Sequence, residues 1–209
     1  MYECRIGTSF QVYFLRLKCS IFFAYNIYVI IDIWVDADSV PGKLRQMILK
    51  AASRIGARCF FVADRQLHDV KTYIADDTFA LREKARQAGQ TNAAELRSIR
   101  SAISMVVVSS GENSADDYIV SQASEASLCI THDIPLAARL LEKGCTVIDD
   151  RGGEYTAADI KARLGDRLVN QELRSWGVFA QQQSMMGQGV QKAFADSLDR
   201  TITRMMKDR

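Results

Sequence analysis

Four aspartates in this chain, Asp36, Asp38, Asp116 and Asp133, stand at the end of a short apolar run or at the start of the segment that follows one. Asp36 and Asp38 lie in VDADSVP after Ile33-Trp34, Asp116 in SSGENSADD after MVVV, and Asp133 closes LCITHD. Glu112 and Asp117 could join them. If strand geometry runs on past Val35, Asp36 and Asp38 are two apart and share a face. Carboxylates brought together repel, and the usual relief is a proton or a bound cation. Oxygen donors without a histidine or thiolate cage suit Mg²⁺ or Mn²⁺ rather than zinc, and such an ion serves phosphoryl chemistry. The competing reading is helix capping, for which Asp38, Ser39 and Ser114 are well placed. Asp36 resists it, because a carboxylate directly after Ile-Trp-Val should be half buried.

Other candidates surround these four. Arg65 and Arg151 follow the second and fifth apolar runs and could hold a phosphate, although arginines there could equally be solvated. Ser39 and Thr131 could orient a ligand carboxylate or a water, or cap a helix. His68 and His132 are the only histidines, and no cysteine or second histidine stands at zinc spacing from His132. A general-base or phosphate-contact role remains open for His132.

For the aspartates to meet, the apolar runs must be neighbouring strands. Ile31 to Val35, Ala57 to Ala63, Met105 to Val108, Leu128 to Thr131 and Cys145 to Ile148 read as five strands. Between them lie helical patterns: Leu44, Met47, Ile48, Ala51 and Ile55 share a face after Pro41, and Gly56 ends that helix. Ala115 to Glu125 and Ile134 to Lys143 supply two more, the second closed by Gly144. Strands alternating with helices predict right-handed crossovers and a parallel sheet covered on both faces. In such a sheet ligands sit beyond the carboxyl ends of the strands, where these aspartates fall.

Two regions break the rhythm. Lys71 to Ala102 reads as a helical insertion interrupted near Gly89, with Arg82, Lys84, Arg86, Arg97 and Arg100 making it locally basic. After Leu164 come a helix ending near Trp176, the glutamine-rich link AQQQSMMGQG, and a last helix from about Val190 to Lys207 carrying Arg200 and Arg204. Either basic face could touch a nucleic-acid backbone, but both are interleaved with acids, as solvated faces are.

Composition bounds the rest. The 209 residues, 48% of them hydrophobic with only 2 prolines, are enough for one core and exclude a disordered or fibrous chain. With 27 basic and 25 acidic residues the net charge is +2, so no global field draws a polyanion and any such site must be local. Five cysteines without a C-x-x-C pair fit a reducing cytosol better than a disulfide framework, so a cytoplasmic location is expected. Residues 1–30 are hydrophobic, with Arg5, Arg16 and Lys18 interrupting them. The unbroken run from Cys19 to Ile31 is short for a membrane crossing, which needs roughly 20 residues. Three readings stand in order: a non-native start, an extra packed strand or helix, and a membrane anchor. The organisation expected is therefore an extension over 1–30, an α/β domain over 31–176 with an insertion at about 71–102, and a polar link with a C-terminal helix over 177–209. No membrane partner is expected.

The motifs VDADSVP at 35–41, SAD at 114–116, THDIPLA at 131–137 and RGGEYTAADI at 151–160 resemble the YaiI/YqxD family of uncharacterised bacterial proteins. The resemblance runs collinearly from about Ile33 to Trp176. That family is grouped with PIN-like nuclease domains, which implies a three-layer α/β/α sandwich with a mainly parallel sheet. It also implies acidic residues that bind Mg²⁺ or Mn²⁺ for phosphodiester cleavage, with RNA as the expected substrate. Carried over by motif, Asp36, Asp116 and Asp133 would hold the ion, and Asp38 would be a further ligand or would orient the attacking water. Three positions depart from the family pattern: Asp64 and Asp149 stand where relatives often have asparagine, and Asn113 stands for the first aspartate of D-x-A-D. The insertion is longer than in the shorter relatives, and nothing before Ile31 matches. Two rivals remain. A D-x-D after a first strand also marks aspartyl-phosphate phosphatases, although their downstream lysine and Ser/Thr motif are not evident. The departures also fit a non-catalytic scaffold that binds RNA or protein.

Overall fold

The computed structural model describes residues 31–109, 111, 113–163 and 187–208. The 1–30 extension, Glu112 and the helix expected to end near Trp176 lie outside the described residues. Five strands form one parallel sheet: β1 (Asp32–Asp36), β2 (Arg58–Ala63), β3 (Ile103–Val107), β4 (Ser127–Ile130) and β5 (Thr146–Ile148), in the order β3-β2-β1-β4-β5. Seven helices accompany them among the described residues: α1 (Gly42–Ile55), α2 (His68–Gln87), α3 (Ala93–Ser98), α4 (Ser114–Gln122), α5 (Ile134–Glu142), α6 over 157–163 and α7 (Gln188–Lys207).

β1 is the central strand, hydrogen-bonded to β2 on one side and β4 on the other. A strand in that position is buried on both faces, which is why its middle, Ile33 to Val35, is apolar at every position instead of alternating. Ile33 and Val35 face a layer formed by Leu44, Ile48 and Leu49 of α1, Val70 of α2, and Phe194, Leu198 and Ile202 of α7. Trp34 faces the opposite layer, with Ile119 of α4 and Leu136, Ala137 and Leu140 of α5. Helices on both faces make the expected three-layer α/β/α sandwich. Trp34 stacks on Phe60 at 4.2 Å and meets the edge of Tyr118 at 6.3 Å, locking β1, β2 and α4 together.

Local signals set most boundaries. Pro41 precedes α1, and Gly56 ends it in the left-handed region at φ 68°, its N–H returning to the carbonyls of Ala52 and Ser53. The helical segment between β2 and β3 divides as expected around Gly89, into α2 and α3, with Asn92 capping α3 through the N–H groups of Ala94 and Glu95. Its basic end sits at the amino edge of the sheet: Arg82 donates to the carbonyls of Ile99 and Arg97, just ahead of β3. The strands run parallel, so the aspartates at their carboxyl ends lie on the opposite edge. Among the described residues no helix is long and apolar enough to cross a membrane.

The last helix belongs to the same core as β1. Phe194, Leu198 and Ile202, spaced four apart, bury one face of α7 against the layer of α1. The turn after β5 fits against it closely. Gly152 has φ 86°, and a methyl group placed there would stand 2.6 Å from the carbonyl oxygen of Ala193. Gly152→Ala therefore meets both an unfavourable backbone conformation and the backbone of α7. A loss of about 2 kcal/mol, read as a fall of roughly 4–8 °C in the thermal midpoint, is the expected result. An unchanged midpoint would mean that α7 does not seat on this turn.

Candidate active site at the carboxyl ends of β1 and β4

The order β3-β2-β1-β4-β5 reverses direction at β1, so the crevice of a doubly wound sheet opens between the loops that follow β1 and β4. Asp36, Thr131 and Asp133 all lie there. Asp36 is the last residue of β1 and only 6% exposed. Its Oδ2 accepts the hydroxyl of Thr131 at 2.8 Å, and that same Oγ1 accepts the backbone N–H of Asp133 at 3.0 Å. Thr131 is itself buried and held by its N–H to the carbonyl of Ile148 at 3.2 Å. Asp133 then caps α5, with Oδ2 accepting the N–H of Leu136 at 3.1 Å.

Asp116 enters from the first turn of α4, the helix that covers Trp34. Burial pushes its carboxyl up to about 6, and the charges of Asp36 and Asp133 add to the rise. Arg139 opposes it, though that guanidinium is bonded to the neighbouring Asp117 at 2.7 Å. Asp36 is also raised, first by burial, while the hydrogen bonds of Ser39 and Thr131 pull it down and Asp38 pushes it further up. Asp36, Asp116 and Asp133 thus share one electrostatic site built from β1, α4 and the β4–α5 junction.

Asp38 does not point with Asp36. The strand ends at Asp36 and residues 37–39 form a turn, so the alternation of a strand no longer applies. Its Oδ2 accepts the backbone N–H of Asp64 at 3.0 Å and its Oδ1 lies 3.3 Å from Arg65. Arg65 is 67% exposed and also faces Asp64 at 3.6 Å, so it neutralises the rim beside β2. Ser39 donates to the carbonyl of Asp36 at 3.1 Å and accepts the N–H of His132 at 3.2 Å, tying the β1 and β4 loops together. Helix capping falls on Asp133; neither Asp38 nor Ser39 caps α1, and α4 starts after Asn113 with no side-chain cap.

Arg151 turns its exposed side chain out, while its backbone N–H bonds Asp149 Oδ1 at 2.9 Å. Asp149 is a loop organiser: Oδ1 also accepts Gly153 N–H at 2.6 Å, and Oδ2 faces Arg163 at 3.4 Å. Two features escaped the sequence. Arg45 donates to the carbonyls of Ala37 at 3.2 Å and Val40 at 2.8 Å and to Asp69 at 2.9 Å, clamping the loop after Asp36 onto α2. Asp150 pairs with His132 at 2.8 Å. An arginine four residues into a helix carries no sequence mark of such a role; its partners are 24 residues away or in the preceding turn.

Among the described residues, no three His, Cys, Asp or Glu side chains are drawn together tightly enough to hold an ion as they stand. The donor chemistry nevertheless fits one. Asp36, Asp116 and Asp133 offer oxygen only, the preference of Mg²⁺ and Mn²⁺, and a cation would relieve both the cost of burial that chiefly raises Asp116 and the repulsion from Asp36 and Asp133 that adds to it.

Comparison with known proteins shows what the chain is similar to. The family model described as the uncharacterised YaiI/YqxD family matches residues 80–204, which takes in β3 to β5 and most of α7. A protein named UPF0178 protein from Trichlorobacter lovleyi is 35% identical over 176 residues, covering 84% of this chain and 96% of its own. Those of Psychromonas ingrahamii, 33% identical, and Myxococcus xanthus, 35% identical, align over 175 residues, again 84% of this chain and 97% and 96% of theirs. No solved structure matches the chain.

Two outcomes test the site's electrostatics. The folded chain holds the Asp116 proton to about pH 6, whereas the ordinary aspartate value is 3.8. Its contribution to stability is therefore complete below about pH 4 and lost as the pH rises through 6. Asp116→Asn should melt above wild type at pH 7, with the difference shrinking as the pH falls toward 4; a gap that widened on acidification would contradict this. Thr131→Val removes the hydroxyl donor to the buried Asp36 carboxylate, leaving it the Ser39 bonds, and takes away the acceptor of the Asp133 backbone N–H. A stability loss of ~2 kcal/mol by denaturant titration is expected, and no loss would mean that the hydroxyl does not hold Asp36.

Proposed function

The chain belongs to the YaiI/YqxD family, and for it we propose hydrolysis of phosphodiester bonds, with RNA as substrate and Mg²⁺ or Mn²⁺ as cofactor. The observation that carries this reading is the buried Asp36 at the crevice of a doubly wound sheet, sharing its field with Asp116 and Asp133. A carboxylate without a cation partner is costly to bury there. Asp36, Asp116 and Asp133 would hold the ion, which when bound supplies Lewis-acid chemistry to a phosphoryl oxygen. Thr131 fixes the direction of Asp36, and Asp133, seated on the first turn of α5, is fixed by its own cap. Asp38, already engaged by Asp64 and Arg65, serves the rim more readily than the ion. The resemblance to PIN-like nucleases, rather than any contact, points to RNA among phosphodiesters, and a cytoplasmic location accords with that substrate.

One observation favours a second reading, a scaffold that binds without cleaving. Asn113 occupies the place of an expected aspartate, with its backbone in the left-handed region at φ 61° and its side chain capping nothing. Calorimetry separates the two, since a scaffold that has lost its site takes up neither Mg²⁺ nor Mn²⁺.

Purified protein incubated with end-labelled single-stranded RNA and Mn²⁺ should produce shorter fragments, and Asp36→Asn should slow this at least about a hundredfold, the scale of removing one charge-stabilising group. Mn²⁺ should also raise the thermal midpoint of wild type and leave that of Asp36→Asn in place. Absence of cleavage, or cleavage undiminished in Asp36→Asn, would sink the hydrolytic reading.

A further inference from the structure

His132 stands in the chain between Thr131 and Asp133, yet its side chain takes no part in their bonds. Thr131 turns toward Asp36 and Asp133 caps α5, whereas the His132 imidazole turns to the loop after β5. There Nδ1 lies 2.8 Å from Asp150 Oδ1, and the backbone N–H is held by Ser39 Oγ at 3.2 Å. Asp150 is 12% exposed at its side chain, while the imidazole is 45% exposed. A hydrogen bond to Nδ1 lies in the plane of the ring, so it fixes that edge without itself covering either face. With a carboxylate as partner, Nδ1 carries its hydrogen whether the ring is neutral or charged, so the orientation does not depend on protonation.

A flat aromatic surface is thus immobilised before any ligand arrives, next in the chain to Asp133 and joined to the backbone of Asp36 through Ser39. Immobilising it costs a ligand little entropy, which is what makes preorganised aromatic contacts effective. Displaced from Asp36, the ring is better placed for a group adjoining the phosphate than for the bond that breaks. In a polynucleotide that group is a sugar carrying a base, and the base is the part with a flat face to lay on the ring. Bases within a duplex have both faces covered by their neighbours, so only an unpaired base can lie on a side chain.

We propose that His132, held by Asp150 and Ser39, is a stacking platform for an unpaired nucleobase beside the phosphodiester site. This rests on the phosphodiester reading above and names what lies beside the phosphate.

Fluorescence anisotropy with a short labelled single-stranded oligoadenylate, in Ca²⁺ without Mg²⁺ or Mn²⁺, tests it. One stacked base accounts for roughly a tenfold change in affinity. His132→Ala should weaken binding by about that factor, while His132→Phe, which keeps the flat face but loses the Asp150 bond that holds it, should fall between the alanine variant and wild type. An abasic oligomer should bind wild type and His132→Ala equally. Thermal melts establish that each variant is folded. Failure of wild type to bind, equal binding by His132→Ala, or a phenylalanine variant as weak as the alanine one would overturn the proposal. If His132-dependent binding persists but Mn²⁺ gives no cleavage, the hydrolytic reading falls and the platform stands; cleavage by a His132→Ala variant with undiminished affinity has the opposite meaning.

Discussion

The hydroxyl of Thr131 stands between two carboxylate-bearing strand ends, donating to Asp36 and accepting from the backbone N–H of Asp133. A carboxylate on the central strand of a parallel sheet is flanked by strands on both sides and covered by helices above and below, so it has little access to water. It is tolerated only if the protein supplies donors, and Thr131 is the donor that reaches across from β4. That single bond sets the direction of Asp36 and the entry of α5, because the oxygen that donates to Asp36 also receives the backbone leading into the α5 cap. The register of β1 on β4, with Val35 opposite Ile130, is what brings the two ends level.

Around this bond the fold adds layers that hold the loops still. Arg45 fastens the turn after Asp36 to α2, Ser39 joins it to the loop after β4, and the turn after β5 is fastened by Asp149 and seated on α7. These fastenings come from opposite ends of the chain. The last helix is therefore more than an appendage, since it supports the turn that carries Asp150, the partner of His132. Loops that bear functional groups are ordinarily the least stable parts of an α/β fold, and here each is pinned by a charged or hydroxyl side chain with a backbone partner.

The sequence made the frame legible where the physics is local. Five apolar runs gave the strands, Pro41 and Gly56 bounded α1, and the break near Gly89 separated α2 from α3. Position at strand ends also picked out Asp36, Asp116 and Asp133, because burial beside an apolar run and the geometry of a parallel sheet are properties of pattern. What was not legible depends on where a strand stops. One residue of turn after Asp36 sends Asp38 toward Arg65 instead of into the crevice. Asp133 reads alike as ligand or cap, and the structure gives it the cap while leaving it in the field of Asp116. The Arg45 clamp and the His132–Asp150 pair join residues far apart in sequence, and nothing local marks either member.

The distribution of charge then says how a polyanion could approach. The chain as a whole is nearly neutral, and the basic end of the α2–α3 segment faces the amino edge of the sheet, away from the aspartates. At the carboxyl edge the fixed charges are mainly acidic, with Arg65 neutralising Asp38 and Arg139 neutralising Asp117. A phosphate brought there without a cation meets repulsion from the same carboxylates that raise Asp116. Charges of one sign at short range, in a place where water is scarce, interact far more strongly than anything the net charge of +2 could offset across a Debye length. Affinity for a nucleic acid must then come from contacts that do not rely on the protein's own field. An aromatic face at the rim and a cation at the centre are two such contacts, and the fold places residues suited to each on adjoining loops of one edge.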